Sequence, residues 1–194
     1  MMGDFTPMEC VEKINEICLT SNSLSIFELG NKLLTLDCVR MHGPEHHYLI
    51  SAAVITVYCN GTKKEALKQK MLDKALHRAN LIQPGSCGYF GVCGASMAVG
   101  SAISLIENVT PYKKKELMAL GKITLRSQSK IANYMGPRCC KRATYVALED
   151  THNWLEEQFQ LAGNRINNYG SKFVCGFSNS NDTCLKGACK YYNL

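Results

Sequence analysis

Between Gly43-Pro44-Glu45 and Asn60-Gly61 runs YLISAAVITVY, residues 48–58, an apolar stretch without a single charged side chain. Its flanks predict a helix that Gly43-Pro44-Glu45 opens and Asn60-Gly61 ends. A helix apolar on every side has to be covered on most of them, so this segment predicts the centre of the fold. Its partners are legible on either side. Thr6-Pro7-Met8-Glu9 reads as a capping box with proline at the first helical position, ahead of apolar Met8, Val11, Ile14 and Cys18. That predicts a helix near 7–19. Ser25 with Glu28 opens a second, to about Leu36. Thr62 with Glu65 caps another, which puts Leu67, Met71, Leu72, Ala75 and Ala79 on one face and lysines on the other. Residues 81–92 break into a glycine-rich loop, and Gly94–Asn108 resumes as a helix of small residues. Thr110-Pro111 caps a long basic helix with a kink at Gly121, and Gly136-Pro137 separates it from a last helix running from Arg138 to about Gln160. No strand alternation persists anywhere. The expected fold class is therefore all-α, a compact helical bundle with an irregular cysteine-bearing C-terminal tail. The 194 residues, 46% of them hydrophobic, suit a single domain, with a helical core over 1–163 and a tail over 164–194.

Neither apolar run predicts a membrane span: 48–58 is too short, and 94–106 is interrupted by glycine and serine. Eleven cysteines are many for this length, but their number is odd. Residues 1–10 also lack a basic stretch followed by an apolar one, so a secreted disulfide framework is not expected. Reduced thiols in a cytoplasm are. Cys10, Cys18, Cys38 and Cys59 lie on or beside apolar helix faces and read as small core hydrophobes. The other seven form three groups: Cys87 and Cys93 in GSCGYFGVCGA, the adjacent Cys139 and Cys140 in GPRCCKRATYVAL, and Cys175, Cys184 and Cys189 in the tail.

A tail with few core-forming residues needs something to tie it, and three thiolates spaced eight and four residues apart can wrap a metal centre. A fourth ligand has to come from elsewhere, and Cys139 or Cys140 is the natural donor. Adjacent helical residues point about 100° apart, so the two thiols divide tasks. We assign Cys140 to the metal with Cys175, Cys184 and Cys189, and Cys139, nearer the helix start, to the role of reactive thiol. Arg138, Lys141 and Arg142 around a helix N-terminus are expected to depress that thiol's pKa. The glycines around Cys87 and Cys93 allow backbone N–H groups to approach a cluster or small anion, which adds Cys93 to the candidate metal ligands. MHGPEHHYLI supplies His46 and His47 in the first turn after Pro44, where the positive helix end favours neutral imidazoles able to ligate or to move protons. His46, His47 and Cys87 are the candidate proton-handling groups, and Glu45 a candidate to orient one histidine.

Charge is unevenly placed. Residues 1–62 hold seven acids against three bases, whereas 112–142 hold nine bases against Glu116 alone, within a net charge of +6. The basic stretch reads as a solvated lysine face, with a polyanion such as tRNA as the other partner it suits.

HGPEHH, GSCGYFGVCGASMAVGSAIS, TPY, GPRCCKRATYVALEDT and CGFSNSNDTCLKGACKYY together resemble an uncharacterised cysteine-rich domain family of anaerobic bacteria and archaea, sometimes fused to radical-SAM or methyltransferase modules. The resemblance runs from about His42 to Tyr191. The CGYFGVCGASMAVG helix is also similar to helical redox proteins named for a GCAxxG motif, although Gly94-Ala95-Ser96 lacks that motif's central cysteine. The resemblance implies metal–thiolate chemistry in an anaerobe and leaves the substrate open. The expected cofactor is a [4Fe–4S] cluster, with zinc as the alternative, since soft thiolates suit both. The corresponding functions are sulfur transfer, desulfidation or redox chemistry on a small thiolated or anionic substrate, or electron exchange with a redox protein. Zinc would instead staple a binding module for tRNA or a protein.

Overall fold

The computed structural model describes residues 6–134, 136–163 and 172–193. These form eight α-helices: α1 Met8–Thr20, α2 Ile26–Leu34, α3 Glu45–Gly61, α4 Lys68–Ala79, α5 Ser86–Tyr89, α6 Gly94–Ile106, α7 Lys114–Ala132 and α8 Cys140–Leu161. Among the described residues there is no β-strand, only an isolated bridge between Cys175 and Tyr192. The fold is all-α, and no described helix is long and apolar enough to cross a membrane.

Helix α3 is the centre. Every residue in it is buried except His47 and Asn60, and it packs against α1, α2, α4, α6 and α8. Leu49, Ile50 and Ile55 are fully covered, each contributing about 1.5–3 kcal/mol of transfer free energy. Small residues let α6 come close. A β-carbon on Gly94 would overlap Nε2 of His47, and one on Gly100 would overlap Oγ1 of Thr124 in α7. Farther along α3, the Gly61 position is filled by the Phe159 ring of α8.

Buried charges lock the ends of the helices. Glu45, at the start of α3, takes a bidentate pair of bonds from the Arg40 guanidinium, at 3.1 and 2.9 Å, and a third from the Arg40 backbone N–H at 2.8 Å. Lys68 donates to the carbonyls of Cys18 and Ser21 at the end of α1. Lys141, 2% exposed, donates to Leu34 O at 2.7 Å and Val39 O at 2.8 Å, which ties α8 to the end of α2. Asp150 of α8 holds Arg126 and Lys130 of α7.

Local signals succeed at some ends and fail at others. Ser25 caps α2 as expected, accepting the Glu28 N–H at 3.3 Å. Thr6 does not cap α1: Pro7 occupies the N-cap itself, with no side-chain bond. Thr62 closes α3 instead of opening α4, its hydroxyl donating back to Tyr58 O at 2.7 Å, and a 3-10 turn over Glu65–Leu67 leads into α4. Helix α7 continues unbroken through Gly121, where a side chain would meet open space. The glycine-rich loop contains the single turn of α5. The expectation that all thiols stand free fails at one pair: Cys10 and Cys38 are joined as a disulfide, their Cα atoms 5.3 Å apart, fastening α1 to the loop before α3.

The tail expected over 164–194 is described from 172 to 193; residues 164–171 and 194 lie outside the described residues. It has no long helix, but it is not without core residues. Phe173 and Tyr191 are buried, with Phe173 against Phe27 and Tyr145 and Tyr191 against Tyr145. The Tyr191 hydroxyl donates to Glu149 at 2.6 Å, and the Phe177 ring lies under the Lys141 ammonium at 4.1 Å.

Candidate functional site

The start of α3 with its preceding loop, the glycine loop around α5 and the start of α8 meet at one face of the bundle. They enclose a cavity of about 740 Å³. Left-handed backbone at Gly85 (φ +88°) and Gly91 (φ +69°) turns the loop around Cys87, a conformation that disfavours any β-carbon. Cys93 forms the N-cap of α6 and Cys139 that of α8.

The start of α8 has two faces. Cys139 has extended backbone, and its sulfur accepts the Arg142 N–H at 3.4 Å. It stands within electrostatic reach of Cys184 and Cys189, and Cys175 within reach of Cys139, Cys189 and Cys184. All four are half-buried, with Cys139 at the positive end of α8. Two of the tail sulfurs also accept backbone N–H groups two residues on: Cys175 from Phe177 at 3.4 Å and Cys184 from Lys186 at 3.3 Å. Cys140 turns the other way. It lines the cavity and is in electrostatic reach of Cys93 and Cys87. Electrostatically, then, Cys139 pairs with the tail cysteines, and Cys140 with Cys93 and Cys87, with which it shares the cavity wall.

The expected depression of a thiol's pKa does not occur here. Burial raises both Cys139 and Cys140, the latter to about 11, and outweighs the Arg142 and Gly43 N–H groups and the charges of Arg142 and Arg138. Burial likewise raises Cys93, against N–H groups of Ala95 and Ser96, and Cys175, against that of Phe177.

The two adjacent histidines also part company. His46 is fully buried away from the cavity, with Nδ1 2.9 Å from Thr144 Oγ1 and Nε2 2.9 Å from Arg40 O, so both ring nitrogens are engaged. Desolvation lowers its pKa to about 4. His47 lines the cavity, as does His42. Burial takes His47 to about 4 as well and also lowers His42, and each keeps a buried Nδ1 with no hydrogen-bond partner. Glu45 is occupied by Arg40 and orients neither ring by a direct bond.

Arg40, Arg138 and Arg142 line the cavity, and among the described residues that line it there is no carboxylate. Sequence reasoning missed this, together with His42 Nδ1, the grouping of Cys87 with Cys140, and the burial of Lys141. The glycine spacing around Cys87 was the one local signal for such a loop. Among the described residues, no three His, Cys, Asp or Glu side chains stand grouped to hold a metal ion as they are placed.

Cys139, Cys175, Cys184 and Cys189 are the donor set that could hold a thiophilic metal. It combines four half-buried thiols, backbone N–H groups on three of them, a helix N-terminus and the buried Lys141 ammonium close by. In comparison with known proteins, the profile of a family of unknown function, DUF5714, matches residues 14–192. No curated protein and no solved structure matches.

Proposed function

We propose that this chain, which belongs to the DUF5714 family of unknown function, is an iron–sulfur protein in which Cys139, Cys175, Cys184 and Cys189 hold a [4Fe–4S] cluster beside a pocket for a small thiolated or anionic substrate. What supports this reading is that three of those four half-buried sulfurs accept backbone N–H groups and that all four lie within electrostatic reach of one another. Four thiolates around a cluster leave net negative charge. N–H···S bonds, the start of α8 and the cations Lys141 and Arg142 all offset it. The cluster would supply redox capacity and affinity for sulfur.

The cavity lies against the same turn of α8, because Cys139 contributes to its wall as well. Its arginines suit an anionic group, and the neutral His47 can take and return a proton. Desulfidation of a thiocarbonyl fits such a pocket: water replaces sulfur at carbon, a carbonyl forms, and the sulfur leaves as hydrogen sulfide with the two protons of the water.

A zinc-stapled binding module is the second reading, favoured by one feature. Helix α7 buries only Ser127 and, with Lys113 before it, presents Lys114, Lys115 and Lys122 outward, a face that suits an acidic partner such as tRNA.

Anaerobic purification followed by iron, acid-labile sulfide and zinc analysis separates the two. A brown protein with iron and sulfide in equal amounts, both lost in C139S, C175S, C184S and C189S, is expected. Zinc without sulfide, lost in the same variants, would replace the cluster by the zinc module. Metal unaffected by any of the four replacements would end both readings.

A further inference from the structure

Of the three arginines on the cavity wall, Arg142 alone is both buried, at 7% exposure, and without a carboxylate partner among the described residues. Arg40 is bonded twice to the Glu45 carboxylate, and Arg138 is exposed to solvent. A guanidinium carries five N–H donors and does not lose its charge. The described bonds of this one are a single N–H donated to the Pro137 carbonyl at 3.1 Å and the face of the Tyr134 ring, 5.4 Å from its centre. Its backbone N–H, and not its guanidinium, is what meets the Cys139 sulfur. Taking a charge out of water without a counter-charge is strongly unfavourable, so the arrangement calls for an anion.

The rest of the wall narrows the kind of anion. His42 and His47 line the same cavity, and each has a buried Nδ1 without a hydrogen-bond partner. Burial holds both rings below their ordinary pKa, so they are polar but neutral and leave Arg142 as the buried charge. One buried positive charge calls for one negative charge. A carboxylate supplies it on two coplanar oxygens, the shape that the guanidinium fork matches with paired N–H bonds, whereas a phosphate brings further charge. Arg142 follows Cys139 by three residues, so a molecule clamped there lies beside the first turn of α8.

We propose that the cavity selects small monocarboxylates, with the Arg142 guanidinium clamping the carboxylate and the His42 and His47 nitrogens meeting the polar groups of the remainder. Together with the cluster reading above, on which the sulfur half rests, this names the substrate class as carboxylic acids that carry a thiol or a thiocarbonyl. The clamp itself rests on Arg142 and stands apart from the cluster.

Calorimetric titration of the full-length protein, purified anaerobically, compares mercaptoacetate with its uncharged amide. The acid is expected to bind, and the amide to bind about tenfold more weakly or worse, because it leaves the guanidinium without its counter-charge. R142Q should bring the acid down to the amide's affinity and leave the amide where it was. R142K, which keeps the charge but not the fork, should fall between, and inorganic phosphate should displace the acid only poorly. Equal affinity for acid and amide, no binding of either, an equal loss of both in R142Q, or phosphate binding more tightly than the acid overturns the proposal. Should R142Q fail to fold by circular dichroism, the acid-to-amide ratio in the unaltered protein and in R142K decides. Iron and sulfide content of the same preparation tests the cluster separately. A colourless protein that prefers the acid through Arg142 keeps the clamp and ends the cluster, and a brown protein indifferent to the carboxylate does the reverse.

Discussion

Lys141 and Gly94 show how single residues shape the site. Lys141 lies between the two cysteine groups, yet its ammonium bonds only backbone carbonyls, Leu34 O and Val39 O, and covers the Phe177 ring. Lys141→Met keeps the stem's packing but leaves two buried carbonyls without a donor, so a loss of about 1–3 kcal/mol is expected in the metal-free protein. Urea unfolding measures it, and a loss below about 0.5 kcal/mol, the range of surface substitutions, would mean water replaces the ammonium. Gly94→Ala places a methyl where His47 Nε2 lies, with an overpacking cost of about 1–3 kcal/mol. The sequence predicts that Cys139 and Cys140 point apart as adjacent helical residues, whereas Cys139 precedes α8 with extended backbone. It did not tell which way each faces. That depends on where Lys141 and the rest of α8 meet α2, a contact between residues about a hundred apart in the chain. For the same reason HGPEHH could not distinguish His46, facing Thr144 of α8, from His47, facing the cavity.

Among the elements, the long helices were legible because each carries an apolar face of its own, and α3 because it has no polar one. Short pieces were not. The single turn of α5 and the 3-10 turn before α4 bury almost nothing, so no periodic pattern marks them. The tail was read as tied by metal alone, since Phe173 and Tyr191 are too far apart to form a period, yet each is an anchor in the aromatic cluster around Tyr145. Removing the metal should therefore loosen only the loops between the anchors, residues 176–188, which carry Cys184. Limited proteolysis with mass mapping is expected to show metal-dependent cuts within 176–188, while sites beside Phe173 and Tyr191 stay protected. In Tyr191→Ala that protection should be lost even with metal bound, because the Glu149 bond and the ring contacts go together. Identical cutting of metal-loaded and metal-free protein within 176–188 would mean that packing alone holds the tail and that no metal staples it.

For the whole molecule, the start of α3 is the point where acid should act. His46 sits under the network that joins the loop before α3 to α8, with Thr144 on one ring nitrogen and Arg40 O on the other. The charged groups facing it are Lys141 of α8 and His47, which disfavour protonation, and Glu45, which favours it. Desolvation dominates, so the folded pKa is about 4 against roughly 6.5 in the unfolded chain. The unfolded state then binds the extra proton first. The stability that neutral His46 contributes is present above about pH 6.5 and is lost as pH falls towards 4, by up to about 3 kcal/mol for a shift of this size. Glu45 extends the loss further down. Burial pushes its carboxyl up, but the Arg40 guanidinium and neighbouring donors hold it below the usual value, so its contribution disappears only as pH falls through that lowered pKa. His46→Gln keeps an amide that can bond both Thr144 and the Arg40 carbonyl and removes the share of the titration between pH 6.5 and 4 that belongs to His46. Urea midpoints of the metal-free protein at pH 7 and pH 4.5 decide the matter: the native chain should lose markedly more stability over that interval than His46→Gln, whose remaining loss there comes from His47, also held near 4, and from His42. Parallel losses in the two proteins would assign the acid sensitivity to groups other than His46.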